Sequence, residues 1–383
     1  QYKPFDHQKD TASFMTMNKK SFCFNEQGTG KTASAIWAAD YLITQGKVKR
    51  VLVICPLSIM DSAWRADLFS FAMHRTVDIV GENDWLWLMT GTPAAQSPVD
   101  AYGLAKLVNP MAVPRFFGSW RDMVMHKVTQ FTYKPKETAK DTVFQALQPA
   151  IRFTKEECLD LPDMVYSKRF VEMTAQQKKY YDTLRKRMIM EVAGESVTAA
   201  NAAINMNKLL QISAGAVYTD DGDSVEFDIK NRYQALKETI DESSQKVLVF
   251  VPFKHTIDML TERLRKDGVT TEVIRGDVSA GNRTDIFRRF QNDPDPRVLV
   301  IQPQSAAHGV TLTAANTIVW WGPTSSLETY LQANARIHRA GQKHKCTVIQ
   351  LAGSAAEKRI YRMLDERINV HTAMIDLYKE VLD

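Results

Sequence analysis

The chain has 383 residues, 44% of them apolar, with 49 lysines and arginines against 44 aspartates and glutamates for a formal net charge of +5. That is the composition of an ordinary folded protein of two or three domains; it leaves out low-complexity, repeat and membrane-spanning architectures, and a mild basic excess suits nucleic-acid binding without requiring it. The four cysteines, Cys23, Cys55, Cys158 and Cys346, stand too far apart for zinc or redox spacing, and no signal-peptide pattern opens the chain, so an intracellular protein with reduced cysteines is expected, in the cytoplasm or nucleoid, or in a nucleus.

The chain opens on Tyr2-Lys3-Pro4-Phe5-Asp6-His7-Gln8. A glutamine amide can pair with both the donor and the acceptor edge of adenine, and Phe5 could pack near it; a purely structural aromatic and glutamine before a helix is the alternative. Ser21-Phe22-Cys23-Phe24 is an apolar run that reads as a buried strand. Asn25-Glu26-Gln27-Gly28-Thr29-Gly30-Lys31-Thr32 follows, and Ala33 to Leu42 has helix formers at helical spacing. Strand, glycine turn, Lys-Thr and helix make a phosphate-binding loop. Gly28 and Gly30 admit backbone angles that turn N–H groups toward an anion, and the helix start adds positive charge. Lys31 is expected at the β/γ-phosphates, with the Thr32 hydroxyl on Mg²⁺. Asn25 stands where the general pattern has glycine, so a Gly-Lys-Thr turn in an ordinary loop is the alternative.

Val51-Leu52-Val53-Ile54-Cys55-Pro56 reads as a second buried strand, followed by Leu57-Ser58 at the edge of a parallel sheet where ligands bind. Ser58 and the local backbone are candidates for phosphate contact, with a plain strand-terminating loop as the alternative. Met60 to Phe71 reads as a helix bearing Trp64. Leu86 to Pro93 is a third strand ending in a small polar turn with Thr90 and Thr92. Tyr102 to Val108 is a short helix.

From Met111 to Ile240 the pattern is mostly helical, with Ala175 to Val192 a long amphipathic helix whose Arg185-Lys186-Arg187 run reads chiefly as a solvated face. Thr219 to Asp228 is an acidic turn. A new α/β block begins at Gln245, with strands at 246–251, 271–274, 298–301, 317–320 and 347–351, and helices at 254–266, 283–291 and 325–338. Such alternation means a parallel sheet covered on both faces. The expected division is 1–110, 111–240 and 241–383.

Gln332, Arg336 and Arg339 lie three and four residues apart, sharing a face if the helix continues through them. Two arginines in a lobe with no phosphate loop of its own could deliver charge to a γ-phosphate as an arginine finger does. A surface arginine pair is the alternative.

Taken in order, these segments resemble the SNF2 family of superfamily 2 helicase-type ATPases over nearly the whole chain. Glu26 to Thr32 resembles motif I, Val51 to Ser58 motif Ia, and Leu88 to Pro93 motif III. Leu107-Val108-Asn109-Pro110 resembles the segment that follows, and Arg152 to Glu157 with Leu161-Pro162 the linker into the second lobe. Gly276-Asp277-Val278-Ser279 with Arg283 resembles motif IVa, Ala306 to Leu312 motif V, and Arg336-Ile337-His338-Arg339-Ala340-Gly341-Gln342 motif VI.

The resemblance implies two RecA-like α/β lobes, each a mainly parallel sheet with helices on both faces, and a helical insertion between them. It implies that ATP and Mg²⁺ are bound by Gln8, Gln27, Gly28, Thr29, Gly30, Lys31, Thr32 and Gly309, completed by Arg336 and Arg339 as the lobes close. It implies DNA contacts at Pro56, Ser58, Phe253, Lys254, Ser305, Thr311 and Trp321. The implied activity is that of a monomeric motor stepping along duplex or branched DNA, with no membrane partner. An RNA or single-strand helicase, and a nucleic-acid-binding scaffold with an idle ATP site, are the competing readings.

The sequence departs from the family in three places. The Asp-Glu-x-His of motif II is absent between Pro56 and Thr90, an interval shorter than the family's, which is read as a segment missing near Gly81 to Asp84. Gly322-Pro323-Thr324 replaces the usual Trp-Asn-Pro, and Asn334-Ala335 stands where acidic residues are usual.

Overall fold

A computed structural model describes residues 3–26, 28–54, 64, 66–72, 86–90, 93–94, 97–129, 133–194, 199–218, 224–306 and 310–366. The chain divides into two compact units, Gln1–Asp160 and Leu161–Asp383.

In unit 1, helix α1 (Asp6–Met17) precedes strand β1 (Lys20–Cys23), and helix α2 (Lys31–Thr44) follows the glycine turn. β1 is the centre of a parallel three-stranded sheet, flanked by β2 (Leu86–Met89) and β5 (Ala150–Ile151). Alternation along β2 sorts its side chains between two layers. Leu86 and Leu88 join Phe22, Phe24 and Trp120 on one side; Trp87 and Met89 join Met15, Ala35 and Ala38 on the other. A two-stranded antiparallel ribbon, β3 (Met125–Lys127) with β4 (Tyr133–Pro135), projects from the same unit.

Unit 2 is built on a six-stranded parallel sheet in the order β10-β11-β9-β12-β13-β6. Its strands are β6 (Met164–Phe170), β9 (Lys246–Phe250), β10 (Thr271–Ile274), β11 (Val298–Ile301), β12 (Ala315–Trp320) and β13 (Cys346–Ala352). A small hairpin, β7 (Ala216–Tyr218) with β8 (Ser224–Glu226), lies apart from that sheet. The central strands are apolar over 247–250, 298–301 and 318–320 because both faces are covered there. Leu248, Phe250, Leu299, Ile301, Ile318 and Trp320 fill one layer, and Val247, Val249, Val298, Val300, Val319 and Trp321 the other. The helices at 254–266 and 280–292 are one element each; the first ends on Arg263, Arg265 and Lys266, which complement its carbonyl end, and the second starts on a Ser279 cap.

The expected strands at 21–24, 86–93, 246–251, 271–274, 298–301, 317–320 and 347–351 form, within a few residues at their ends. Four expectations are corrected. Val51 to Ile54 is not a strand, and its side chains are exposed; both edges of β1 are already taken by β2 and β5. The interval 111–240 is not one helical body: it contributes β5 to unit 1 and β6 to unit 2, and the division falls after Asp160. The acidic stretch 219–228 includes a strand, β8. The helix expected over 325–338 runs only over Leu327–Asn334, so Arg336 and Arg339 sit in the turn beyond it, not on a shared helical face with Gln332. The proposed break near Gly81 to Asp84 lies outside the described residues. Among the described residues, no helix is long and apolar enough to cross a membrane.

Candidate active site

The glycine turn after β1 adopts the conformation its sequence calls for. Gly28 and Gly30 have φ of +88° and +83°, a region an L side chain rarely enters. Gly30 is also the N-cap of α2, so Lys31 and Thr32 are its first two residues, at the helix end that favours anions. A Cβ on Gly30 would stand 2.0 Å from Nε2 of Gln8. That close approach joins α1 to the turn: Nε2 of Gln8 donates to the Thr29 carbonyl at 3.2 Å, and Nε2 of His7 lies 2.8 Å from the same oxygen. Oε1 of Gln8 accepts from the Phe5 amide at 3.1 Å. The Thr29 hydroxyl donates to the Glu26 carbonyl.

Lys31 is folded back onto the turn. Its Nζ donates to the carbonyls of Asn25 at 2.7 Å and Glu26 at 3.0 Å. Asn25, 1% exposed, occupies the position where glycine is usual and has its own partners. Its Nδ2 donates to the Thr11 hydroxyl at 2.8 Å, which donates to the His7 carbonyl; its Oδ1 accepts from the Phe153 amide at 3.0 Å. The Glu26 amide donates to the Phe153 carbonyl at 2.9 Å. Sequence reasoning singled out Asn25 only as a departure and missed His7 and Thr11. Their signal was weak, because the partner of Asn25 lies 128 positions away.

In unit 2, Arg336 is 2% exposed, and its Nε has no hydrogen-bond partner among the described residues. Nη1 reaches the Val310 carbonyl at 3.5 Å. Burial, and then the neighbouring charge of Arg339, push its pKa well below the usual arginine range. Burial lowers Arg339 to about 10; its Nε donates to the Ala335 carbonyl and its Nη1 to the Thr311 hydroxyl. Two desolvated cations side by side form a locus that an anion would stabilise. The rest of the segment is scaffolding. Nε2 of Gln342 donates to the carbonyls of Thr313, Ala315 and Ile337, and its Oε1 accepts from the amides of Lys343 and His344. His338 Nε2 lies 2.8 Å from the Pro162 carbonyl. Asn334 accepts from the Trp320 indole at 2.9 Å, which is what that position does here in place of an acid.

Of the residues expected at DNA, Lys254 is exposed at the start of its helix and Phe253 is half-buried against the core. Ser305 is buried. Thr311 presents its hydroxyl to Arg339. Trp321 is a correction: it is fully buried, and its indole donates to the Ala214 carbonyl at 2.8 Å, so its side chain has no face to offer a polymer. Gln27, Pro56, Ser58 and Gly309 lie outside the described residues.

The loop residues fit a nucleotide triphosphate: positive-φ glycines, a helix start, and a lysine whose present partners are two carbonyls it can exchange for phosphate oxygens. Thr32 is the hydroxyl that would hold Mg²⁺. Among the described residues no cluster of three or more acidic, histidine or cysteine side chains could hold a metal.

Comparison with known families matches residues 76–214 to an SNF2-related domain and residues 231–341 to a helicase conserved C-terminal domain. An "Uncharacterized ATP-dependent helicase" of Mycoplasma genitalium is 25% identical over 293 residues, 73% of this chain and 27% of that protein. Chromodomain-helicase-DNA-binding protein 1-like of Mus musculus is 26% identical, over 83% of this chain and 36% of its own length. The chain thus spans about a quarter to a third of these two relatives. Protein p41 of Acyrthosiphon pisum secondary endosymbiont phage 1 is 22% identical over 95% of both chains. That alignment runs over 452 positions, more than the 383 residues present here, so p41 carries stretches this chain lacks. Among solved structures, the Sulfolobus solfataricus SWI2/SNF2 ATPase core in complex with dsDNA has a TM-score of 0.43 at 19% identity, covering 95% of this chain and 91% of that one; the same core domain alone has 0.45 at 17%, covering 96% and 89%.

The chain is an α/β protein whose first unit holds a glycine turn with the sequence and backbone angles of a phosphate loop. It carries an SNF2-related domain followed by a helicase conserved C-terminal domain.

Proposed function

We propose that this chain hydrolyses ATP and uses the cycle to move along duplex or branched DNA. Lys31 and the Gly28–Thr32 turn would hold the triphosphate, and Gln8, Gln27 and Gly309 are proposed as further ATP-binding residues. Arg336 and Arg339 contribute positive charge to the γ-phosphate in the transition state. Thr32 would hold Mg²⁺, and the ion would neutralise phosphate charge. The observation that carries the reading is the under-satisfied Arg336 guanidinium: a buried cation with an unpartnered Nε beside a second desolvated arginine is costly unless an anion visits.

Pro56, Ser58, Phe253, Lys254, Ser305 and Thr311 are proposed for the DNA path, with Lys254 as its exposed cation. Contacts of this kind go to phosphates, so binding weakens steeply with salt and has little sequence preference.

A second reading, a nucleic-acid-binding scaffold with an idle ATP site, has one observation in its favour: no Asp-Glu pair occurs between Pro56 and Thr90. Steady-state ATP hydrolysis measured without polymer and with duplex, forked and single-stranded DNA and RNA separates the cases. Stimulation by duplex or forked DNA supports the motor. Stimulation by RNA or single strands alone moves the assignment to a helicase. Binding of DNA with no turnover moves it to the scaffold.

A further inference from the structure

We propose that Asn25 is a positioning residue that couples the occupancy of the phosphate loop to the backbone at Phe153, where the chain leaves the unit 1 sheet. The proposal rests on the nucleotide reading above and adds to it a residue and a route.

The route is a single peptide plane. The carbonyl of Asn25 and the amide of Glu26 belong to one planar group. In this structure the carbonyl end accepts from Lys31 Nζ at 2.7 Å, and the amide end donates to the Phe153 carbonyl at 2.9 Å. Lys31 cannot give its protons to a phosphate and keep both bonds to Asn25 and Glu26 unchanged. When it leaves, the plane loses the cation on one edge, and any tilt is felt at once on the other edge, at Phe153.

The Asn25 side chain decides what that tilt does. Phe153 is gripped twice: its carbonyl by the Glu26 amide, and its own amide by Asn25 Oδ1 at 3.0 Å. On the opposite side Asn25 Nδ2 is anchored at 2.8 Å to Thr11, whose hydroxyl is in turn committed to the His7 carbonyl. With the side-chain nitrogen fixed to α1 and the side-chain oxygen fixed to Phe153, the plane can rotate but the loop cannot slide. α1 itself is bonded to the turn through His7 and Gln8 at the Thr29 carbonyl. Nucleotide arrival is therefore read out as a change in the hydrogen bonds of residues 152–153.

The chemistry requires an amide at position 25. Thr11 Oγ1 uses its proton on His7, so it can only accept from position 25; the Phe153 amide can only donate to it. Asparagine supplies one donor and one acceptor. Aspartate supplies no donor, and would bury a charge. Glycine or alanine, the small residues of a generic loop, would leave the Phe153 amide without its acceptor and Thr11 without its donor.

The test is amide hydrogen exchange of the full chain, read on peptides spanning Arg152 to Thr154, with and without ADP and with fluorescent nucleotide binding measured in parallel. In the parent protein, nucleotide should change exchange at Phe153 by about tenfold or more, the size expected when a buried hydrogen bond is altered. In Asn25→Ala and Asn25→Asp the same peptide should exchange quickly, and nucleotide that still binds should no longer shift it. Thr11→Val should weaken the response and Thr11→Ser should restore it, which keeps the proposal testable where an Asn25 variant fails to fold. Nucleotide binding with an unaltered Phe153 response in Asn25→Ala or Thr11→Val overturns the coupling alone. No nucleotide binding by the parent protein overturns the coupling together with the reading it rests on.

Discussion

Glu357 grips Arg232 with both carboxylate oxygens, at 2.7 Å and 2.8 Å, inside unit 2. The two side chains are 0% and 4% exposed. Arg232 also donates to the Trp321 carbonyl at 2.7 Å, and Glu357 accepts from the amides of Gly353 and Ser354. Burial works against the arginine's charge, but Glu357 more than reverses this, so Arg232 stays charged beyond the ordinary arginine range. The pair thereby fastens the helix Lys230–Glu242 to the helix Ala355–Asp365 and to the end of β12.

Breaking one side of this pair should be severe. Glu357→Gln keeps the shape but leaves a buried cation with half its partner, and should destabilise unit 2 by about 3–5 kcal/mol. Replacing both, as Arg232→Met with Glu357→Leu, should cost much less. Urea unfolding of the three variants checks this; equal losses for single and double variants would refute it.

Gly30→Ala should disable the phosphate loop with little effect on unit 2. The new methyl group would meet Gln8 at 2.0 Å, and φ of +83° is unfavourable to it by about 1–2 kcal/mol. Gln8→Ala removes the obstacle but not the backbone cost. The double variant should therefore recover part of the unit 1 stability lost in Gly30→Ala, although not nucleotide affinity, since Gln8 is itself proposed to bind ATP. Urea unfolding of the two single variants and the double variant measures that non-additivity.

Lys31→Ala should abolish turnover, because the phosphate charge loses its partner. The fold should persist, since Lys31 now spends its Nζ on two loop carbonyls near the surface. DNA-stimulated hydrolysis near the parent rate would remove the loop from the mechanism.

The sequence made some of this legible and hid the rest for physical reasons. Strands β9, β11 and β12 were readable because both of their faces are buried, which gives each a continuous apolar run. The glycine turn was readable because its backbone angles leave few residue types possible. Val51 to Ile54 misled because an apolar run states an affinity for burial and not which strand will receive it. Arg336 and Arg339 were found, but spacing alone placed them on a helix that stops at Asn334. Trp321 was assigned to DNA by its place in a motif, whereas its indole is satisfied by Ala214, more than a hundred positions earlier. The Asn25 bonds were hidden for the same reason. Local pattern carries local conformation; partners far apart in the chain leave no spacing to read.

Arg339→Ala should separate binding from chemistry. Turnover should fall by about 10³-fold or more if Arg339 acts as a finger, with ATP affinity nearly kept. Arg339→Lys should not restore it, because an ammonium lacks the planar fork. The same residue makes a prediction about pH. Burial lowers its pKa from the ordinary arginine range to about 10, so between those values the unfolded chain binds more protons than the native one and stability gains with rising pH. At neutral pH the penalty of the desolvated cation is present in full, and an anion that reaches Arg339 offsets it. ATP should therefore raise the melting temperature of the parent protein at pH 7.5 by more than it raises that of Arg339→Ala. Equal shifts in the two proteins, together with an unchanged rate of hydrolysis, would return Arg339 to the role of a structural turn residue bonded to Ala335 and Thr311.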